Sequence, residues 1–191
     1  MNTKWLPKTS FVNIKRLGKV NWLKVIGLLG IGFFIAFLQA NLRVPLRLPG
    51  WRGLTWLTPL VATRLSTSFF GAASVTSLSA TGFSLLLGVR HNPFDWFLYL
   101  VVGELLDLAY HFNKQRRQKI WFWAIAAGLV HLIKPLSQTI VSAGGGWRYG
   151  ALFVAGPFYP LMTHLVFGAI AGFLGAATVF WVKRLHRSQS Q

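Results

Sequence analysis

The chain has 191 residues, 53% of them hydrophobic and only 12% charged, against the roughly 25% typical of soluble domains, which places it among integral membrane proteins. It carries 20 Lys and Arg against 3 Asp and Glu, a net charge of +17, but the bases cluster between apolar runs as the positive-inside rule requires, so nucleic acid is not implied. There is no cysteine, which excludes disulfides, thiolate metal sites and cysteine nucleophiles.

Residues 1–20 form a basic tail ahead of the first apolar run, VIGLLGIGFFIAFLQA. A basic leader before an apolar stretch also describes a signal peptide, but the leader is long and Leu38 and Ala40 make a poor cleavage pair, so a retained helix over 21–42 is expected. Gly32, Ala36 and Ala40 lie four apart on it, a spacing that lets another helix approach closely. That stripe serves packing within the bundle or docking of a partner subunit. RVPLRLPGWRG (43–53) is a loop by its prolines and glycines. Its arginines and Trp51 either contact lipid headgroups or close over a polar ligand. A short second span over 54–65 contains Pro59 and ends at Arg64, and a third over 69–89 is rich in Gly, Ala and Ser. VRHNP (89–93), with Arg90 and His91, is an outer turn.

The fourth span, 94–112, holds WFLYLVVGELLDLAYHF. Glu104, Asp107 and His111 are spaced i, i+3, i+7, on one face of a helix. A carboxylate at membrane depth costs roughly 2.5–3.5 kcal/mol on insertion scales, so it is expected to face the protein interior or a polar cavity. The basic loop NKQRRQK (113–119) precedes a fifth span, 120–142, carrying His131, Lys134 and Gln138 and interrupted by Pro135. AGGGWRYG (143–150), with Trp147 and Arg148, is an outer loop. Pro157 and Pro160 set off a sixth span, 158–182, with a small-residue stripe at Gly168, Gly172 and Ala176. A basic tail, 183–191, follows and is expected to be disordered at its end. Inner segments then hold thirteen bases and outer segments five, which orients six spans with both termini in the cytoplasm. The fold class is therefore an all-α integral membrane bundle of six transmembrane helices over 21–182, flanked by cytoplasmic tails.

At about 1.5 Å per residue, Glu104 and His131 both lie some 15–17 Å deep, with Lys134, Gln138 and His164 nearer the outside. A polar pocket in the outer half of spans four to six is expected, lined by Glu104, His131, Lys134, Gln138 and His164 and roofed by Trp51, Arg90 and Trp147. Glu104 and Lys134 either line that pocket or pair with each other. Asp107 and His111 lie deeper and read as structural, so Glu104→Gln should weaken binding more than Asp107→Asn. No catalytic motif of the HExxH, GxSxG or Walker A type occurs, so the chain reads as non-enzymatic, without resident cofactor or metal. The alternatives are a membrane-integral metal-dependent hydrolase built on Glu104, Asp107, His111 and His131, or a non-transporting scaffold.

Taken together, the length, six spans, internal termini, the Gly32, Ala36, Ala40 stripe, the RVPLRLPGWRG loop, GELLDLAYHF and HLIKP resemble the substrate-binding S component of an energy-coupling factor transporter. The resemblance implies an importer subunit in a prokaryotic cytoplasmic membrane, capturing a small vitamin-like molecule from outside. It also implies partners: a transmembrane coupling subunit, docked through Gly32, Ala36 and Ala40, and two cytosolic ATPases. Cobalt- and nickel-transporting members begin with Met-His, whereas this chain begins Met1-Asn2-Thr3, which points to a small organic ligand, partly anionic given Arg43, Arg52, Arg90 and Arg148.

Overall fold

The computed structural model describes residues 21–42, 48–88, 93–144 and 156–189. Among them are seven helical segments: α1 (Trp22–Asn41), α2 (Gly53–Ser66), α3 (Ala72–Leu86), α4 (Pro93–Phe112), α5 (Ile120–His131), α6 (Ile133–Ala143) and α7 (Phe158–Gln189). No strand occurs among the described residues.

Proline chemistry explains why the fifth expected span arrives as two segments. Pro135 has no N–H and its ring collides with the carbonyl four residues back, at His131. The helix accordingly breaks at Leu132, immediately after His131. Gly71 starts α3 at φ +75°, a left-handed conformation that L side chains adopt at a cost. At the other end of the chain, α7 continues through Lys183 to Gln189, so the basic residues expected in a disordered tail extend a helix instead.

Three rods are long and apolar enough to cross a membrane: Trp22–Asn41, Ile120–Ala143 and Phe158–Gln189. Their outward faces carry large apolar side chains, including Phe34, Ile125 and Trp181, as lipid-facing helices do. The six-span expectation is therefore met more coarsely. α2 and α3 have 14 and 15 residues, about 21–23 Å at the helical rise, short of a ~30 Å hydrocarbon core. α4 is 20 residues long, but Asp95, Glu104 and Asp107 dilute its apolar character.

α2 is the buried axis, touching α1, α3, α4, α5 and α7. Trp56, Leu57, Leu60, Val61 and Leu65 from it form the core with Ile35, Leu106 and Trp123. Small residues set the helix spacings. A side chain at Gly172 would collide with the Trp123 carbonyl and Ala127 on α5, and one at Gly175 would lie 2.6 Å from the Thr58 carbonyl on α2. The α1 stripe works in the same way. Gly32 and Ala36 are buried, a Cβ at Gly32 would run into Ser79 of α3, and the Ser79 hydroxyl donates to the Leu29 carbonyl at 2.8 Å. The stripe expected to receive a partner subunit is thus occupied by this chain's own α3, the packing alternative of the two. Small residues invite whichever helix is nearest, and here the nearest is internal.

Candidate functional site

Polar side chains gather at two levels of the bundle, one near each end. The end carrying the 113–119 loop and the end of α7 is called the basic end below; the other is the far end.

At the far end, residues 48–52 between α1 and α2 lie across α5 and α7. Gly50 takes φ +83°, and an added Cβ there would sit 2.9 Å from the His164 ring. The Gly50 carbonyl lies 3.2 Å from His131 Nε2. A carbonyl only accepts, so His131 holds its proton on Nε2 in that bond, and Nδ1 is left as an acceptor, buried and without a partner. His164 Nδ1 meets the Pro160 carbonyl at 2.8 Å and is the donor by the same reasoning. The two imidazole rings are 4.8 Å apart. Gly53, the first residue of α2, lies so close to His131 that any side chain would strike its ring. Trp56, one turn on, stands edge-on to His131 at 5.7 Å and to Tyr99 of α4 at 4.7 Å.

Trp56 and Tyr99 also wall a small, partly open cavity between α1, α2, α3 and α4. Gln39 of α1 and Ser77, Thr81 and Ser84 of α3 supply its polar lining, and Ile35, Leu60 and Ala80 the remainder. The volume open to a water centre is about 10 Å3, room for one water. Gln39 Oε1 and Thr81 Oγ1 are buried with no hydrogen-bond partner. Leaving such atoms unpaired costs about 1–3 kcal/mol each, so their retention calls for something that completes them. An amide, hydroxyls and two aromatic faces can hold a small polar molecule with a flat ring by hydrogen bonding and stacking.

The sequence reading locates the pocket one helix pair away from this cavity. His131 and His164 are buried and together as expected, and Trp51 is half-buried in the roof above them. Lys134 and Gln138 are half-buried on α6. Arg90 and Trp147 fall outside the described residues, as do Arg43 and Arg148. Glu104 departs from expectation: it is exposed on the outer face of α4 and makes no hydrogen bond or ion pair among the described residues, with Lys134 or any other group. The buried face of α4 carries Val102, Gly103, Leu106 and Asp107, and Gly103 closes on Ser77 and Ala73 of α3. One residue further turns the side chain by about 100°, which takes Glu104 past the contact with α3 and out of the bundle. The expected ordering, Glu104→Gln worse for binding than Asp107→Asn, rested on an inward Glu104 and loses that basis.

Gln39, Trp56, Thr81, Ser84 and Tyr99 went unnoticed in the sequence. A signal was available, since Ser77, Thr81 and Ser84 stand i, i+4, i+7 on α3, but small hydroxyl residues serve helix contacts just as well.

At the basic end, Asp107 is the centre of a closed network. Its carboxylate accepts from the Ala73 and Ser74 amides at 3.2 and 2.8 Å and from the Ser74 hydroxyl at 2.7 Å. It thereby caps the first turn of α3 from a different helix and neutralises the positive end of its dipole. Arg64 Nε lies 3.1 Å from Asp107 Oδ1, off the N–H axis, so the contact is an ion pair without a linear hydrogen bond. Arg64 also donates to the Phe69 carbonyl at 2.8 Å, and its guanidinium sits 3.7 Å over the Tyr110 ring. The side chain is fully buried. This arrangement commits Asp107 to structure, as its depth suggested, with Arg64 the partner the sequence did not name. His111 stacks on Phe70 at 4.6 Å rather than joining Asp107 around a metal. No group of three His, Asp or Glu side chains is brought together among the described residues.

Compared with known proteins, the chain matches no family model, no curated protein and no solved structure.

Proposed function

We propose that the chain is the membrane-embedded substrate-binding subunit of an importer of the energy-coupling factor type, holding a small, neutral or weakly polar organic molecule in the far-end cavity. The observation that carries this reading is the small cavity between Trp56 and Tyr99, into which Gln39 and Thr81 present buried polar atoms with no partner. Residues 48–52 ahead of α2, which fasten onto His131 through Gly50, are the natural door. Loops that cover a site in this way exclude water and release ligand by parting from the helices beneath. With one water's room, the cavity as described is too small for a ligand, and entry of one requires that door and the α1–α2 side to move.

In this reading the protein resides in a prokaryotic cytoplasmic membrane with both termini inside and the far end outside. Energy comes from a separate coupling subunit and two ATPases, since the sequence holds no Walker A motif. The coupling subunit docks elsewhere than on Gly32 and Ala36, which α3 covers. The hydrolase alternative is weaker because its two carboxylates diverge, Glu104 outward and Asp107 into the ion pair with Arg64.

The test is mass spectrometry of small molecules extracted from the purified protein, followed by thermal-shift titration with each compound found. A retained compound that raises Tm in the parent protein, and fails to do so in Trp56→Ala, supports the reading. Absence of any retained compound, with no thermal response to a panel of vitamins and their precursors, favours a scaffold. Turnover abolished by a chelator favours the hydrolase.

A further inference from the structure

The basic end has a feature that neither the ion pair nor the cavity uses. α5 and α7 pack tightly where Gly168 and Gly172 meet Ala127 and Trp123. Toward the basic end they enclose an open groove of about 930 Å3. Trp121, Ala124 and Ile125 of α5 and Phe173 and Phe180 of α7 form its apolar walls. Trp121, Ile125 and Phe173 are each about half exposed, at 49%, 55% and 50%. Lys119, Lys183, Arg184 and Arg187 stand at its rim.

Among the described residues no carboxylate lines the groove. The chain's 3 acids all lie on α4, and Asp107 is held by Arg64. The rim cations are also partly organised. Lys183 Nζ donates to the Leu65 carbonyl at the end of α2, 2.7 Å away, which fixes the ammonium and leaves two of its three donors. The Lys119 ammonium lies over the Trp121 ring, 5.8 Å from its centre, so a cation and an aromatic face share one corner.

We propose that this groove binds an anionic phospholipid, with its phosphate among Lys119, Lys183, Arg184 and Arg187 and its acyl chains along Ile125, Phe173 and Phe180. Cations alone would suit any anion, and apolar walls alone any lipid. Their stacking at one level, charge at the helix ends and hydrocarbon immediately within, matches a molecule that is itself charged at one end and apolar along the rest. Trp121 between the two zones occupies the headgroup level where amphipathic rings settle. A free phosphate would use the rim and leave the walls in water. The inference rests on the membrane assignment and not on the far-end cavity, so its failure leaves the small-molecule reading untouched.

The experiment is native mass spectrometry of the full chain in detergent, titrated in parallel with dioleoylphosphatidylglycerol and dioleoylphosphatidylcholine. Retention of the anionic lipid in several-fold excess is expected. The triple variant Lys119→Gln, Arg184→Gln, Arg187→Gln should lose that excess, with Tm unchanged because these side chains lie on the surface. Ala124→Trp, which fills the groove and keeps every cation, should also lower retention of phosphatidylglycerol. Excess glycerol 3-phosphate or inorganic phosphate should not displace the lipid. Equal retention of the two lipids, an undiminished preference in the triple variant, full retention in Ala124→Trp, or displacement by inorganic phosphate would each overturn the proposal, the last by making the rim a simple phosphate site.

Discussion

The two ends of the bundle use buried polarity in opposite ways. At the basic end, Asp107 and Arg64 cancel each other, cap α3 and rest on Tyr110, so the charge is consumed within the chain. At the far end the polar atoms are neutral, and among the described residues His131 Nδ1, Gln39 Oε1 and Thr81 Oγ1 are left without a hydrogen bond; at the basic end the atoms left over, Arg64 Nε and Nη2 and His111 Nε2, sit instead within an ion pair and stacked rings. A polar group that is completed by its own chain holds helices together. One that is not completed by its own chain reduces stability until something else completes it. On the proposed reading, neutral leftover atoms mark the binding end, and the strongest charges in the bundle belong to the structural one.

That contrast can be broken most forcefully at Asp107. Asp107→Ala leaves Arg64 buried and unpaired and removes the cap of α3, so unfolding in detergent should show a loss of about 3–5 kcal/mol. The double variant Arg64→Met, Asp107→Leu should recover part of that loss, because it leaves no orphan charge. Equal damage from the single and double variants would mean that the ion pair is not the element at work. A smaller effect is expected at Gly71, where φ is +75°: Gly71→Ala should cost roughly 1–2 kcal/mol in the same unfolding measurement and leave ligand binding alone.

Thr81→Val sharpens the other half of the comparison. It replaces an unpartnered hydroxyl by a methyl of similar size, so stability should hold or rise by up to about 1 kcal/mol. Affinity for the co-purified compound, read by calorimetry, should fall about tenfold, the value of roughly 1.4 kcal/mol for one hydrogen bond to ligand. Loss of stability with unchanged affinity would move Thr81 to the structural class. The smallest effect is expected at Glu104. Glu104→Gln should leave both Tm and affinity nearly unchanged, within about 0.5 kcal/mol, as for surface positions away from specific contacts. A large loss of affinity there would place the ligand on the outer face of α4 and undo the assignment of the cavity.

Much of the architecture was legible in the residues alone. Helix positions followed from apolar runs bounded by basic and Pro/Gly segments, and the helices lie within a few residues of them, except that the fifth span is two segments and the sixth runs on to Gln189. The break after His131 follows from one proline. His131 and His164 were both expected in one polar pocket, with His164 nearer the outside by the helical rise of about 1.5 Å per residue; that their rings lie 4.8 Å apart is decided by the packing of α5 against α7. Rotation about each helix axis was not legible in this way. Glu104 and Asp107 share a nominal face, yet the edge of the α3–α4 contact runs between them, and that edge exists only once α3 is in place. The same holds for Gly32 and Ala36, whose small side chains advertise a close contact without saying with which helix. Nor could Arg64, at the end of a short span, announce that its partner lies on α4.

Local chemistry therefore determined which segments are helical, where they stop and how deep each polar group lies, because those properties depend on neighbours along the chain. Tertiary packing decided which polar groups are satisfied and which are not. Satisfaction is a property of atoms that meet across helices, and α2, which touches five other helices, sets those meetings through Trp56 at one end and Arg64 at the other.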